Sequence, residues 1–257
     1  MQLIDTHAHL YLETFSADRE AVLQRARDNG VQKIFLPNID GGSIAGMLAL
    51  EIACPDLCHA MMGLHPCSVD GEVDKALDTV HSWLQRRKFA AVGEIGLDYH
   101  WDITWKEQQL LAFRRQADWA LEYDLPIVIH SRNATADCIA VLKEKQNGKL
   151  RGIFHCFSGT AEEAQQITDL GFLLGIGGVV TFKNAGLDKV VQQLDLRHLV
   201  LETDAPYLAP VPYRGKRNES SYLTLIAGKI AALKGTTLEE VAGSTTAQAL
   251  RLFGYDF

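Results

Sequence analysis

The chain has 257 residues, of which 47% are hydrophobic and 22% charged, with a formal net charge of −7. That length suits one closed α/β barrel as readily as two small domains, and the composition is that of a globular protein able to bury a large core. The acidic balance excludes a module that coats long stretches of nucleic acid, which needs a basic face. It leaves open an enzyme acting on a nucleic acid end, because site carboxylates count as negative until divalent ions offset them.

No uncharged apolar run approaches the roughly 18 residues that would span a membrane. The N-terminus lacks a basic region followed by an apolar stretch and a small-residue cleavage site, so a cytoplasmic protein without a signal peptide is expected. The five cysteines form no CxxC pair and read as reduced thiols.

In chain order, short apolar runs alternate with longer amphipathic stretches. Strand-like runs are LIDTH (3–7), KIFLP (33–37), AMMGLH (60–65) and AAVGEIG (90–96). PIVIH (126–130), GIFHCF (152–157), FLLGIGG (172–178) and HLVLETD (198–204) follow. The spacing of apolar residues predicts helices near 16–29, 43–54, 72–87, 104–123, 133–146, 160–170 and 185–194, and two more at 220–234 and 237–253. Capping boxes are expected at Thr104/Glu107, Thr160/Glu163 and Thr237/Glu240, and Gly30 and Gly171 fall where helices should end. Eight strand–helix units without a composition break predict one α/β domain over 1–257, a (β/α)8 TIM barrel of the metal-dependent hydrolase type. The glycine-rich loop that would favour an open nucleotide-binding sheet is missing after the first strand.

Catalytic groups in such barrels sit at the C-terminal ends of the strands. His7 and His9 end the first strand, Glu94 the fourth, His130 the fifth, His155 the sixth and Asp204 the eighth. Side chains two apart on a strand share a face, so His7 and His9 can converge on one ion. Any one of these residues alone reads as a core histidine, an ion-pair partner or a helix cap. Six at one rim read as a metal site. Four histidines and two carboxylates suit zinc or manganese, and magnesium with more waters also fits. Six ligands exceed what one open site needs, which points to two divalent ions per chain bridged by Glu94.

His65 ends the third strand in GLHP, with a substrate contact, a proton relay or a structural role open to it. Arg132, Arg214 and Lys216 offer cations for phosphate oxygens, and neighbouring Asn218 offers a substrate contact or a helix cap. His59, His81, His100 and His198 read as solvated groups. Asp5 is expected one layer below His7, as an acceptor that orients a ligand histidine.

Seven stretches in order, IDTHAHL (4–10), GLHP (63–66), VGEIGLDYH (92–100), PIVIHSR (126–132), HCFSG (155–159), ETDAPYL (202–208) and RGKRNE (214–219), resemble the TatD-related hydrolases over essentially the whole chain. These are deoxyribonuclease-like members of the wider amidohydrolase barrels. The resemblance implies one metal held by His7, His9, Glu94 and Asp204 and a second held by Glu94, His130 and His155. It implies Asp204 as the group that orients or deprotonates the attacking water, with Glu94 as the other catalytic residue. The implied reaction is phosphodiester hydrolysis at nucleic acid ends, DNA above all, in some members from 3′ to 5′ on single strands. Glu219-Ser220-Ser221 stands where the family often has a proline, so the shape of that loop and its phosphate grip are expected to differ.

Two other readings stay open. An amidohydrolase or esterase could use the same ions on a small-molecule or aminoacyl-ester carbonyl, without needing cations at the mouth. A non-catalytic metal protein would close its coordination sphere, which six ligands for two ions do not do. Neither a membrane nor an obligate protein partner is implied.

Overall fold

The computed structural model describes residues 1–255. Eight parallel strands form the wall of a barrel: β1 (Leu3–Asp5), β2 (Val31–Leu36), β3 (Cys58–Ala60) and β4 (Val92–Asp98), then β5 (Ile127–Arg132), β6 (Gly152–Phe154), β7 (Leu173–Ile176) and β8 (Leu199–Leu201). Helices α1 (Arg19–Asp28), α2 (Ile44–Ala53), α3 (Val73–Arg86), α4 (Lys106–Glu122), α5 (Thr135–Lys145), α6 (Ala161–Asp169) and α7 (Leu187–Gln193) lie between strands. The chain continues through α8 (Leu223–Lys234) and α9 (Leu238–Phe253). Every expected strand and helix is present, with ends displaced by a few residues.

The ladder is continuous within β1–β3 and within β4–β8, and narrows to single bridges at the two remaining seams. Met62 bridges Val92 between β3 and β4, and Ala8 bridges Ala205 just beyond β1 and β8. At the β1/β8 seam the backbone bonds are few, and side chains add to them. Asp5 accepts from the Thr203 N–H at 2.9 Å and the Thr203 hydroxyl at 2.6 Å, and Thr6 Oγ1 donates to the Leu201 carbonyl at 3.0 Å. Asp5 therefore fastens the seam, and it also accepts from the backbone N–H of His7 at 3.4 Å, so its expected link to that histidine runs through the main chain and not the imidazole.

The helices bury one face each. In α3 the buried residues are Val73, Leu77, Val80 and Leu84, the spacing of a helical stripe. The capping box at Thr160 forms in full, and Thr237 accepts from the Glu240 N–H at 3.1 Å. The box expected at Thr104 does not form, because α4 begins at Lys106 and the Thr104 N–H is bound by Asp102 at 2.8 Å. Gly30 and Gly171 do follow helix ends, with left-handed φ of 84° and 83°.

Inside the barrel, an apolar layer of Ile4, Phe35, Met61, Val128, Ile153 and Val200 forms the lower core. Helix α9 covers it with Leu250, Leu252 and Phe253, the last stacked on Phe35 with ring centres 3.7 Å apart. His59, expected to be solvated, is half-buried at this end, with Nδ1 2.9 Å from the Tyr255 hydroxyl and Nε2 3.3 Å from Lys33. All five cysteines are free. Among the described residues no helix is long and apolar enough to cross a membrane.

Candidate metal centre

Above the apolar layer, the six expected ligands meet around Glu94, a carboxylate only 2% exposed. Its two oxygens face different partners. Oε2 lies 3.1 Å from His7 Nε2 and 3.6 Å from His9 Nε2, and both nitrogens are 3.8 Å from Asp204 Oδ1. Oε1 lies 2.9 Å from His130 Nδ1, 3.3 Å from His155 Nε2 and 3.4 Å from His65 Nε2. His7 and His155, from opposite sets, stack with ring centres 3.6 Å apart.

The protonation states suit a cation. Burial would raise the Glu94 carboxyl, but His7, His65, His155 and His130 together hold it well below its ordinary value, so it is ionised. Burial pushes the imidazoles of His7, His9 and His155 down, which keeps them neutral with a lone pair to give. For His9 the donor nitrogen is fixed by hydrogen bonding. The Tyr11 hydroxyl donates to the Pro37 carbonyl at 2.6 Å, so it accepts from His9 Nδ1–H at 3.0 Å and leaves Nε2 as the free donor atom. The neutral imidazoles of His7, His9 and His155 and the ionised Glu94, with donor atoms within 4.8 Å of one another in each cluster, are the donor set of a divalent transition ion. The residues fit the ions expected of them.

Three supporting side chains escaped the reading of the sequence. Tyr11 orients His9 as described. Asp98 Oδ2 lies 2.8 Å from His130 Nε2 and holds that ring against Glu94. Burial lowers the pKa of His130, but the bonds to Asp98 and Glu94 win and raise it to about 9. Glu202, fully buried, accepts from the Cys156 N–H at 2.6 Å and sits 3.1 Å from His155 Nδ1, out of hydrogen-bond alignment. Glu202 Oε2 and His7 Nδ1 are both buried without a partner. A Cβ at Gly175 would collide with the Glu202 carboxylate, so that glycine on β7 is what makes room for it. Cys156, next to His155, has a left-handed φ of 47°, and Asp204 one of 56°. One signal could have found Tyr11, Asp98 and Glu202: each lies two or four residues from a ligand on the same strand or its extension, and so shares its face.

Asp204 is turned into the site by that backbone, with its N–H on the His7 carbonyl at 2.9 Å. Burial raises its carboxyl to about 7, partly opposed by His155. His65 Nδ1 lies 3.0 Å from the Cys67 N–H and its Nε2 faces Glu94 at 3.4 Å, where burial lowers its pKa but Glu94 and the Cys67 contact raise it to about 9.

The cations divide. Arg132 stands exposed at the end of β5 and forms no ion pair among the described residues. Arg214 is exposed with its guanidinium 4.5 Å from the Phe182 ring centre, and Lys216 is exposed beside it in sequence. Arg217 pairs with Asp18 at 2.5 Å, and Glu219 with Arg25 at 2.5 Å. Those two pairs tie the loop after β8 to α1, where the chain departs from the proline of the family pattern. Asn218 is fully buried and gives its amide hydrogens to the Thr203 and Tyr207 carbonyls at 2.6 and 2.7 Å. Its carbonyl takes the Glu219 N–H at 2.9 Å. With every polar atom engaged it braces the loop, and a substrate-binding Asn218 is corrected to a structural one.

The sequence profile of the family described as TatD related DNase matches residues 4–254. The chain is 42% identical over 252 residues, 98% of each chain, to a Bacillus subtilis protein named "uncharacterized metal-dependent hydrolase YabD". It is 32% identical over 258 residues to a Pantoea vagans protein named as a 3′–5′ ssDNA/RNA exonuclease, TatD, covering 98% of this chain and 99% of that one. Among solved structures, the Escherichia coli TatD homologue YjjV superposes with a TM-score of 0.93 at 33% identity, covering 99% of this chain and 98% of the other.

Proposed function

The chain belongs to the TatD-related DNase family of metal-dependent hydrolases, and from that footing we propose that it cleaves phosphodiester bonds at nucleic acid ends with two divalent ions. The observation that carries this reading is the division of Glu94, one oxygen toward His7 and His9 and the other toward His130 and His155. His7, His9, Glu94 and Asp204 would hold one ion, and Glu94, His130 and His155 the other. Bound ions of this kind supply Lewis acidity to a phosphoryl oxygen and lower the pKa of water.

The chain's own groups do the rest. Asp204 is acceptor-only when ionised and stands where it can orient a water and take its proton. His65 Nε2–H can donate to a phosphoryl oxygen across the centre from Asp204, and Arg132 can bind a second phosphate oxygen from the rim. Arg214 and Lys216 are further phosphate contacts on the loop after β8. An amide or ester hydrolase built on the same ligands would gain little from the unpaired Arg132 cation, which favours the phosphodiester. Magnesium, manganese and zinc are all admissible.

The test is hydrolysis of 3′-labelled single-stranded DNA and RNA and of bis-p-nitrophenyl phosphate, with each metal, by the native chain and by Asp204→Asn. The expected loss in the variant is on the order of 10³-fold in kcat. Native turnover no greater than that of the variant would overturn the reading.

A further inference from the structure

Across the His155 ring from Glu94, three donors that the two-ion centre does not use stand together. They are His155 Nδ1, the Cys156 thiol and the Glu202 carboxylate, all within 4.8 Å of one another. His155 Nδ1 and Glu202 Oε2 are buried without a hydrogen-bond partner, and Glu202 is fully buried. Glu202 Oε1 stands 3.1 Å from His155 Nδ1 but out of alignment, so their proximity is not a bond. Polar atoms buried in this way cost free energy unless a further group satisfies them.

Local backbone brings these donors together. Successive side chains of a strand point to opposite faces, so His155 and Cys156 would ordinarily diverge. The left-handed φ of 47° at Cys156, just past β6, breaks that alternation and leaves the thiol beside the imidazole. Gly175 on β7 supplies the space, since a Cβ there would lie 2.2 Å from Glu202 Oε2 and 3.3 Å from His155 Cα. Cys156 is only partly buried, which leaves a way in from solvent. One imidazole nitrogen, one sulfur and one carboxylate oxygen make a three-ligand zinc-type set, with a fourth position for water. The ligands assigned to the two hydrolytic ions include no sulfur. A thiolate selects zinc and its heavier congener cadmium over magnesium or manganese.

We propose that His155 Nδ1, Cys156 Sγ and Glu202 form a separate site for a thiophilic divalent ion such as zinc, which competes with the second hydrolytic ion for His155. A neutral imidazole carries one lone pair. When Nε2–H faces Glu94 Oε1, 3.3 Å away, the lone pair is on Nδ1 and serves the thiophilic ion. When Nε2 is given to the second ion, Nδ1 carries the hydrogen. Binding breaks the Cys156 S–H bond and forms a sulfur–metal bond, the proton leaves to solvent, and Glu202 binds as the carboxylate. An ion at this site holds the ring in the tautomer that cannot serve the second ion. The site is therefore inhibitory, whichever bond the enzyme cleaves.

Cadmium is the probe, because a cadmium–thiolate bond absorbs in the ultraviolet where oxygen and nitrogen ligands to the same ion do not. The full chain, treated with EDTA and desalted, is titrated in a Cys67→Ser background, which removes the exposed thiol. The expected result is an absorption that saturates at one thiolate-bound ion and is lost when Cys156→Ser is added, with circular dichroism unchanged. Glu202→Gln keeps the thiol and should move the midpoint to higher cadmium. Saturating manganese should move it the same way, by holding His155 through Nε2. No absorption before Cys156 is replaced, absorption that survives Cys156→Ser, or a midpoint indifferent to Glu202→Gln overturns the site. A midpoint that manganese leaves in place overturns the competition. Should Cys156→Ser fail to fold, the Glu202→Gln midpoint decides. None of these readouts requires turnover, so they stand or fall apart from the phosphodiesterase reading.

Discussion

The two ends of the barrel use the same strands for opposite purposes. At one end Ile4, Phe35, Met61, Val128, Ile153 and Val200 point inward, pack in one apolar cluster, and are covered by α9. At the other, His7, His9, Glu94, His130, His155 and Asp204 point into the same barrel and face one another within a few ångströms. The first arrangement lowers the free energy of the fold directly, by removing apolar surface from water. The second works against it, because buried imidazoles and carboxylates lose hydration that only an ion and well-placed acceptors can replace. Stability and chemistry are thus assigned to different layers of one barrel, and substitutions should separate them.

The largest expected effect is at the apolar end. Phe35 is fully buried and stacked on Phe253. Phe35→Ala should cost about 3–5 kcal/mol of unfolding free energy in a denaturant titration, while calorimetry still counts the same number of bound metal ions. A loss of metal in that variant at temperatures where it is folded would show the two layers to be coupled.

At the metal end the converse is expected of Glu202. Glu202→Gln keeps an oxygen for the Cys156 N–H but removes a carboxyl, raised by burial to about 7, whose charge a cation beside His155 and His7 would draw out. The affinity for metal should fall about 10- to 100-fold with little change in unfolding midpoint of the metal-free chain, and titration with zinc or manganese measures it. Unaltered affinity would reduce Glu202 to a packing residue in the notch left by Gly175.

The smallest effect sharpens the comparison from the apolar side, where His59 is a titrating group. Burial, with help from Lys33, lowers its imidazole to about 4 from an ordinary 6.5. Between pH 6.5 and 4 the unfolded chain takes up a proton that the folded chain refuses, so stability is complete above the upper value and drains away toward the lower one. Because the ring is only partly buried, screening limits the loss to about 1–2 kcal/mol. His59→Gln should flatten the acid limb of a stability–pH curve by that amount. An identical curve in both proteins would mean that His59 titrates normally.

Much of this was legible beforehand because strand alternation is a local property. Val128 and His130, Ile153 and His155, and Val200 and Glu202 are two residues apart, so each strand sends an apolar side chain to the lower layer and a polar one to the upper. The same rule, carried one step further from each ligand, reaches Tyr11, Asp98 and Glu202. It fails on β4, where Ala91 and Glu94 both face inward three residues apart, and where the pairing with β5 slips between Val92 and Ile95. The basic run after β8 misled for a different reason. Its residues look alike in sequence, but Arg217 is held by Asp18 and Asn218 by two carbonyls, whereas Arg214 and Lys216 stay exposed.

The order of strands and helices, the barrel and the six candidate ligands at its rim followed from the sequence alone, because periodicity and position along a strand are written within a few residues. Tertiary structure alone decided which oxygen of Glu94 faces which histidines, which donor nitrogen His9 presents, how the seams close and which cations remain unpaired. Each of those depends on groups brought together from distant segments, as Arg25 and Glu219 are across 194 residues. No local pattern encodes a partner that far away.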